Sequence, residues 1–211
     1  YTSLCWFSND VGAGIGRKYL TILCNLCSED KEFDPDNFDH LEELQKRVKH
    51  LVHAKPPPGP DFDLLTLWWK EHFGVNIKAV GDFATLKGHQ ALVSGVIEEF
   101  ILNSLCAASS VIAGLKLRGD ARGVLRQTHI SIEAAGGAGR RPAIYLKNWS
   151  ACPLDEKVFD EPEQDKGWGI FGNRLLMKRA GGDITIVEDG KWQQQRGEWP
   201  LWVGFMIALV K

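Results

Sequence analysis

Glu99 and Asn103 stand four residues apart in Ile97-Glu98-Glu99-Phe100-Ile101-Leu102-Asn103. On a helix that spacing puts both side chains on one face. Their apolar neighbours Val96, Phe100 and Ile101 turn this face inward. A carboxylate and an amide aimed into a low-dielectric space need partners. Water and a hydrated Mg²⁺ would supply them, because magnesium takes oxygen ligands and keeps several waters. The plainer reading is a solvated Glu beside a hydrogen-bonded Asn. Three further pieces follow in order. Ala143–Lys147 reads as a strand running into a polar turn at Asn148-Trp149-Ser150. Phe159 precedes the charged stretch Asp160–Lys166. Lys166-Gly167-Trp168-Gly169-Ile170 then leads into a helix. Glycines at a helix start let backbone N–H groups approach a phosphate.

Two other motifs carry less. Cys24-Asn25-Leu26-Cys27 has redox or zinc spacing, but no second pair accompanies it and no strand precedes it. Two thiols on a helix is the simpler account. Gly12, Gly14 and Gly16 lack the spacing of a phosphate loop and read as a weak first helical turn.

The elements that must position these residues fall into two parts. Lys55-Pro56-Pro57-Pro58-Gly59-Pro60 cannot continue a helix and reads as a stiff connector, here bounded as residues 56–60. Before it, residues 1–55 hold two amphipathic patterns: Val11, Ile15, Tyr19, Ile22 and Leu26, then Leu41, Leu44, Val48 and Leu51. Two such helices with a short acidic connection predict an antiparallel hairpin. A hairpin has too little core to stand alone. It must pack on the second part, or pair with a copy of itself as a four-helix bundle. Residues 61–211 alternate helices and strands. Helices are predicted at Leu64–Phe73, His89–Ser109 and Arg174–Ala180, the last capped by Gly181-Gly182. Strands are predicted at Asn76–Val80, His129–Glu133, Ala143–Lys147, Asp183–Val187 and Trp202–Val210. Gly136–Arg141 reads as a loop. The expected class is α+β, a mixed sheet covered by helices on one face.

This ordered set resembles the ATP-binding domain of sensor histidine kinases, which share the Bergerat fold with gyrase-type ATPases. Glu99 and Asn103 look like its N box, Phe159 like the F-box Phe, and Gly167-Trp168-Gly169-Ile170 like the second half of G-T-G-L-G-L. Ile184–Ile186 and Phe205–Leu209 resemble the closing strands, and Gly181-Gly182 is similar to H-G-G. Phe7-Ser8-Asn9-Asp10-Val11 looks like the F-S-H-E-L start of the dimerisation and phosphoacceptor helix. The resemblance covers nearly the whole chain and implies a Bergerat-type sandwich after a dimerising hairpin. It implies ATP and Mg²⁺ as cofactors, with Asn103 the Mg²⁺ ligand and Glu99 a base. Asn148 would stand where the family reads adenine with an Asp, and Lys166, Gly167 and Gly169 would lie along the phosphates. It implies a homodimer and a response-regulator receiver domain as partners.

The chain departs from the pattern where chemistry matters. Asn9 stands at the phosphoaccepting His and has no imidazole to phosphorylate. Ser150 replaces a Gly after the adenine-reading position, and Asp165 replaces the first Gly of the second glycine box. Trp149 and Trp168 would either stack on a base or fill the pocket. Two functions stand: a Mg-ATP-binding histidine-kinase-like core for two-component signalling, or a catalytically inactive dimeric scaffold or regulatory binding protein of that family that does not bind ATP. An unrelated α+β binding domain is a third. Composition narrows the field further. In 211 residues, 25 Lys and Arg face 27 Asp and Glu, giving a net charge of −2 that offers no pull toward nucleic acid or anionic membranes. No run is expected to reach the ~18–20 apolar residues of a membrane span. Five scattered cysteines suggest reduced thiols and a cytoplasmic setting.

Overall fold

A computed structural model of the chain describes residues 15–27, 38–54, 62–84, 86, 90–119, 123, 126–137, 140–161 and 169–209. Its helices are α1 (Ile15–Cys27), α2 (Phe38–Ala54), α3 (Phe62–Phe73), α4 (Gln90–Leu117), α5 (Gly169–Arg179) and the short α6 (Lys191–Gln195). Its strands are β1 (Ile77–Gly81), β2 (Ile130–Gly137), β3 (Arg140–Ser150), β4 (Asp183–Glu188) and β5 (Leu201–Ala208). The strands form one mixed sheet in the order β1-β2-β3-β5-β4. Only β1 and β2 run parallel; the other three pairings are antiparallel.

Strand register explains which sheet face is buried. Ile132 pairs with Leu146, Leu146 with Phe205, and Phe205 with Ile186. Paired residues project to the same side of a sheet. One apolar row therefore crosses four strands, and α4 lies on it, with Phe100 edge-on to Phe205 at 5.0 Å. Tyr145 and Lys147 alternate to the other side and are only partly buried. The architecture is thus α+β, a five-stranded mixed sheet packed against helices.

Helix α4 corrects two expectations. It runs to Leu117, well past Ser109, because Val111, Ile112 and Leu115 continue its apolar surface into the core. By length and composition its stretch Gly95–Leu117 is also apolar enough to cross a membrane, contrary to the expectation that no run is. Within the fold it is the central core helix. Residues that are apolar all round a helix need cover all round. The sheet covers one side of α4, and α1 covers another.

That second contact changes the reading of the first part. α1 touches α2, but it packs mainly along α4, and Tyr19 meets Trp69 and Phe73 of α3 at 6.0 and 5.5 Å. Tyr19, Ile22, Leu23, Leu44, Val48 and Leu51 join the same hydrophobic cluster as the sheet. The expected separate helical hairpin is not what the structure shows; its apolar stripe is used inside the chain. The Pro-rich connector 56–60 lies outside the described residues.

Strand β3 is a further correction. Asn148, Trp149 and Ser150 continue the strand rather than forming a turn, because β5 pairs with them at Val203, Trp202 and Leu201. Of the predicted loop Gly136–Arg141, residues 136, 137, 140 and 141 belong to β2 and β3.

One glycine sets the β1–β2 contact. Gly81 has φ +103°, and a Cβ there would collide with the Ala134 carbonyl oxygen of the neighbouring strand. Gly81→Ala should lower stability by about 1–3 kcal/mol in urea unfolding, through strain at a left-handed position. A wild-type midpoint would remove that constraint.

Candidate functional site

Three elements meet at Glu99. α4 supplies Glu99 and Asn103 one turn apart, with Asn103 Nδ2 at 3.5 Å from Glu99 Oε1. α5 supplies its first residue, Gly169, whose missing side chain faces the pair. A Cβ on Gly169 would lie 2.5 Å from Glu99 Oε1 and 3.8 Å from Asn103 Nδ2. α1 supplies Lys18, whose Nζ forms an ion pair with Glu99 Oε1.

Each element is fixed by contacts away from the site. Arg174 anchors α5: its Nε bonds Asp183 Oδ1 at 3.2 Å, and its guanidinium lies 4.0 Å over the Phe159 ring. Phe159 is buried. Asn25 Nδ2 on α1 donates to Ser109 Oγ on α4 at 3.1 Å, and Lys116 Nζ donates to the Leu26 carbonyl at 3.0 Å. These contacts run along the α1–α4 seam and hold Lys18 over Glu99.

Asn148 has a different role from Asn103. It lies on the core face of β3 and is 4% exposed. Its Oδ1 accepts from Ser104 Oγ at 3.0 Å, and its Nδ2 donates to the Trp149 carbonyl at 2.8 Å. A buried amide engaged at both ends is satisfied by the protein itself. Trp149 is also core: it is 1% exposed and meets the His129 ring edge-on at 4.6 Å. Of the two readings for that tryptophan, filling space is the one it adopts. Ser150 Oγ donates to the Cys152 carbonyl at 2.6 Å.

The structure therefore brings Glu99, Asn103 and Gly169 together. It places Asn148 beneath α4, bonded to Ser104. Asn9, Lys166 and Gly167, with Asp165 and Trp168, lie outside the described residues. Lys18 was missed. Nothing in its local pattern marks it, since its partner is 81 residues away. Cys24 and Cys27 both fall within α1, and among the described residues no group of three or more His, Cys, Asp or Glu is placed to hold a metal.

Two groups near this seam are shifted by their surroundings. The Cys106 thiol is pushed up to about 11, chiefly by burial; Lys18 pulls it down and Glu99 pushes it up. The Tyr19 phenol is pushed up to about 12 by burial, with a smaller push from Glu98.

No protein-family model matches the chain, and no curated protein matches its sequence. Among solved structures, full-length ShkA in complex with AMPPNP, a hybrid histidine kinase, matches with a TM-score of 0.39 and 12% identity. That match covers 99% of this chain and 46% of the ShkA chain. The chain thus spans under half the length of the structure it matches. The likeness is one of fold at most.

The shifted groups make a prediction about alkaline stability. Both acids release their protons more readily in the unfolded chain, where the ordinary values are 9.0 for the thiol and 10.0 for the phenol. Their contribution is complete below those values and is lost as pH rises through the folded ones. The urea midpoint should fall between about pH 9 and about pH 12. Tyr19→Phe should flatten the upper half of that fall. Parallel profiles for parent and variant would show that Tyr19 does not contribute.

Proposed function

We propose that this chain is a histidine-kinase-like signalling module that works as a binding scaffold and not as a phosphotransferase. The observation that carries this reading is the Lys18 ammonium on Glu99. Phosphoryl transfer depends on positioning and on neutralising phosphate charge, and Mg²⁺ supplies much of both. Here the carboxylate that would face the ion already has a cation, and Gly169 closes against the same oxygen. As folded, these residues do not fit a magnesium nucleotide. The Asn148 amide, the expected adenine reader, is engaged by Ser104 and the Trp149 carbonyl. Asn9 adds to the reading from the sequence, because an amide cannot form a phosphohistidine.

A second reading keeps the Mg-ATP core. One observation favours it: Glu99, Asn103 and Gly169 do converge, as the motif order implied. In that case Asn103 would hold Mg²⁺, and Gly169, with Lys166 and Gly167, would lie along the phosphates.

The partners follow from the surfaces left free. A dimer through a four-helix bundle would need the apolar stripe of α1 and α2, which is buried within the chain. The outward side of α2 is charged, with Glu42, Glu43, Lys46, Arg47 and Lys49 exposed. A scaffold of this kind would act as a monomer and meet a receiver-type protein through polar surface.

Calorimetry with Mg-ATP separates the two readings. The scaffold reading expects no binding up to millimolar nucleotide. Micromolar binding would overturn it in favour of the Mg-ATP core. Light scattering at micromolar concentration should return a mass near 23.6 kDa. A dimer mass would count against the use of the α1–α2 stripe inside the chain.

A further inference from the structure

We infer that the cavity where β4 runs into α6 is a docking site for an arginine side chain carried by a partner protein. The cavity holds about 380 Å³, and none of Glu99, Asn103 and Gly169 lines it. Its volume falls within the range of about 300–1,000 Å³ typical of ligand pockets. Three carboxylates line it, Glu156, Glu188 and Asp189, against one ammonium, Lys191. Leu154, Val187 and Trp192 add apolar surface. Val187 is 42% exposed and Trp192 62%, so both stand open to a partner. The exposure of Val187 has a cause in the sheet. Pairing of β4 with β5 passes from Ile186–Phe205 to Glu188–Gly204 and skips Val187, which marks a bulge. A bulge re-aims the side chains beside it.

Contacts within the chain fix the walls of this cavity. Lys147 on β3 reaches across β5 to Glu188, with Nζ at 2.8 Å from Oε2. Gly204 clears its path, since a Cβ there would lie 2.7 Å from Lys147 Cγ. Gln193 Nε2 donates to Glu188 Oε1 at 2.9 Å. Asp189 Oδ1 accepts from the Lys191 N–H at 2.9 Å, and Lys191 Nζ lies 3.6 Å from Oδ2. The exposed Glu156 carboxylate takes part in none of these contacts and is left to a partner's cation. The three carboxylates surround the space and do not converge on a point. Among the described residues no group of three or more His, Cys, Asp or Glu is placed to hold a metal. A guanidinium suits this arrangement better than a metal ion or an ammonium. It is planar, carries five donors in a rigid fork and stacks on aromatic rings. Trp192 already takes one guanidinium in this way, with Arg196 over its ring at 4.4 Å from the centroid. Its exposure leaves surface for a second. The site does not depend on whether the Glu99 region takes a nucleotide.

A short peptide tests this on the full chain. The probe is acetyl-Leu-Arg-Leu-amide, whose leucines supply apolar contact with Val187 and Trp192. The readout is the Trp192 indole N–H resonance, assigned by its absence in Trp192→Phe. That resonance should shift and saturate at millimolar peptide or below. Replacing the arginine by citrulline keeps the shape and removes the charge, and should weaken binding at least about threefold. Glu156→Gln should weaken the arginine peptide to a similar degree and leave the citrulline peptide unchanged. Glu156 is exposed, so this variant should keep the wild-type melting temperature. No saturable shift up to millimolar arginine peptide would overturn the inference. Equal affinity for the two peptides would also overturn it, because an apolar patch and not a charged cavity would be binding. So would an arginine-peptide affinity that Glu156→Gln leaves unchanged. None of these outcomes bears on Mg-ATP, so the scaffold reading stands or falls separately.

Discussion

The rest of the structure depends on one constraint, which is that α4 must be covered on more than one side. Val96, Ile97, Phe100, Ile101, Leu102, Leu105, Ala108, Val111, Ile112 and Leu115 are all buried. Each large apolar side chain left exposed would forgo about 1.5–3 kcal/mol. The sheet can cover only the side that faces it. Leaving the remainder to water would cost more than a domain's typical net stability of about 5–15 kcal/mol could absorb. α1 meets that need, and its own stripe of Tyr19, Ile22 and Leu23 is buried in return. An arrangement that frees the N-terminal helices for a bundle with another chain would strip cover from α4 at the same time.

Magnitudes decide what Lys18 does in this interface. A partly exposed ion pair contributes about 0–1 kcal/mol. The three apolar side chains of α1 contribute several times that by burial. The ion pair is thus not what holds α1 in place. Apolar packing and the Asn25–Ser109 and Lys116–Leu26 contacts fix the helix, and Lys18 is carried to Glu99 as a consequence. The contact gives a half-buried carboxylate a partner while adding little to stability.

Much of the sheet was legible in the sequence because alternation is a local signal. Each predicted strand exists, and β4 at Asp183–Glu188 matches its expected span within a residue. β3 was under-read for a tertiary reason. Asn148 and Ser150 look like turn residues, but pairing with β5 holds them in the ladder, and Ser104 supplies the buried amide with a partner from another element. The length of α4 was under-read because a helix apolar on every side loses the periodicity that marks an amphipathic one. The convergence of Glu99 with Asn103 was legible at i, i+4, and Gly169 was legible from motif order. The occupant was not, because an ion pair between residues 18 and 99 leaves no spacing to read.

The buried polar groups show why the same residue types lead to different roles in one fold. Asn103 and Asn148 are both amides facing the neighbourhood of α4. Asn148 is enclosed, and both ends of its amide are engaged, so moving it toward a ligand would strand Ser104 or the Trp149 carbonyl. An unsatisfied buried group costs about 1–3 kcal/mol, which a weak ligand contact does not offset. Asn103 is only partly buried, and its contact with Glu99 is at the outer limit of a hydrogen bond. It can turn to a new partner at little cost. Glu99 lies between these cases, partly exposed but paired. That pairing follows from the packing, because α1 carries Lys18 to Glu99 and α4 requires α1 to be there.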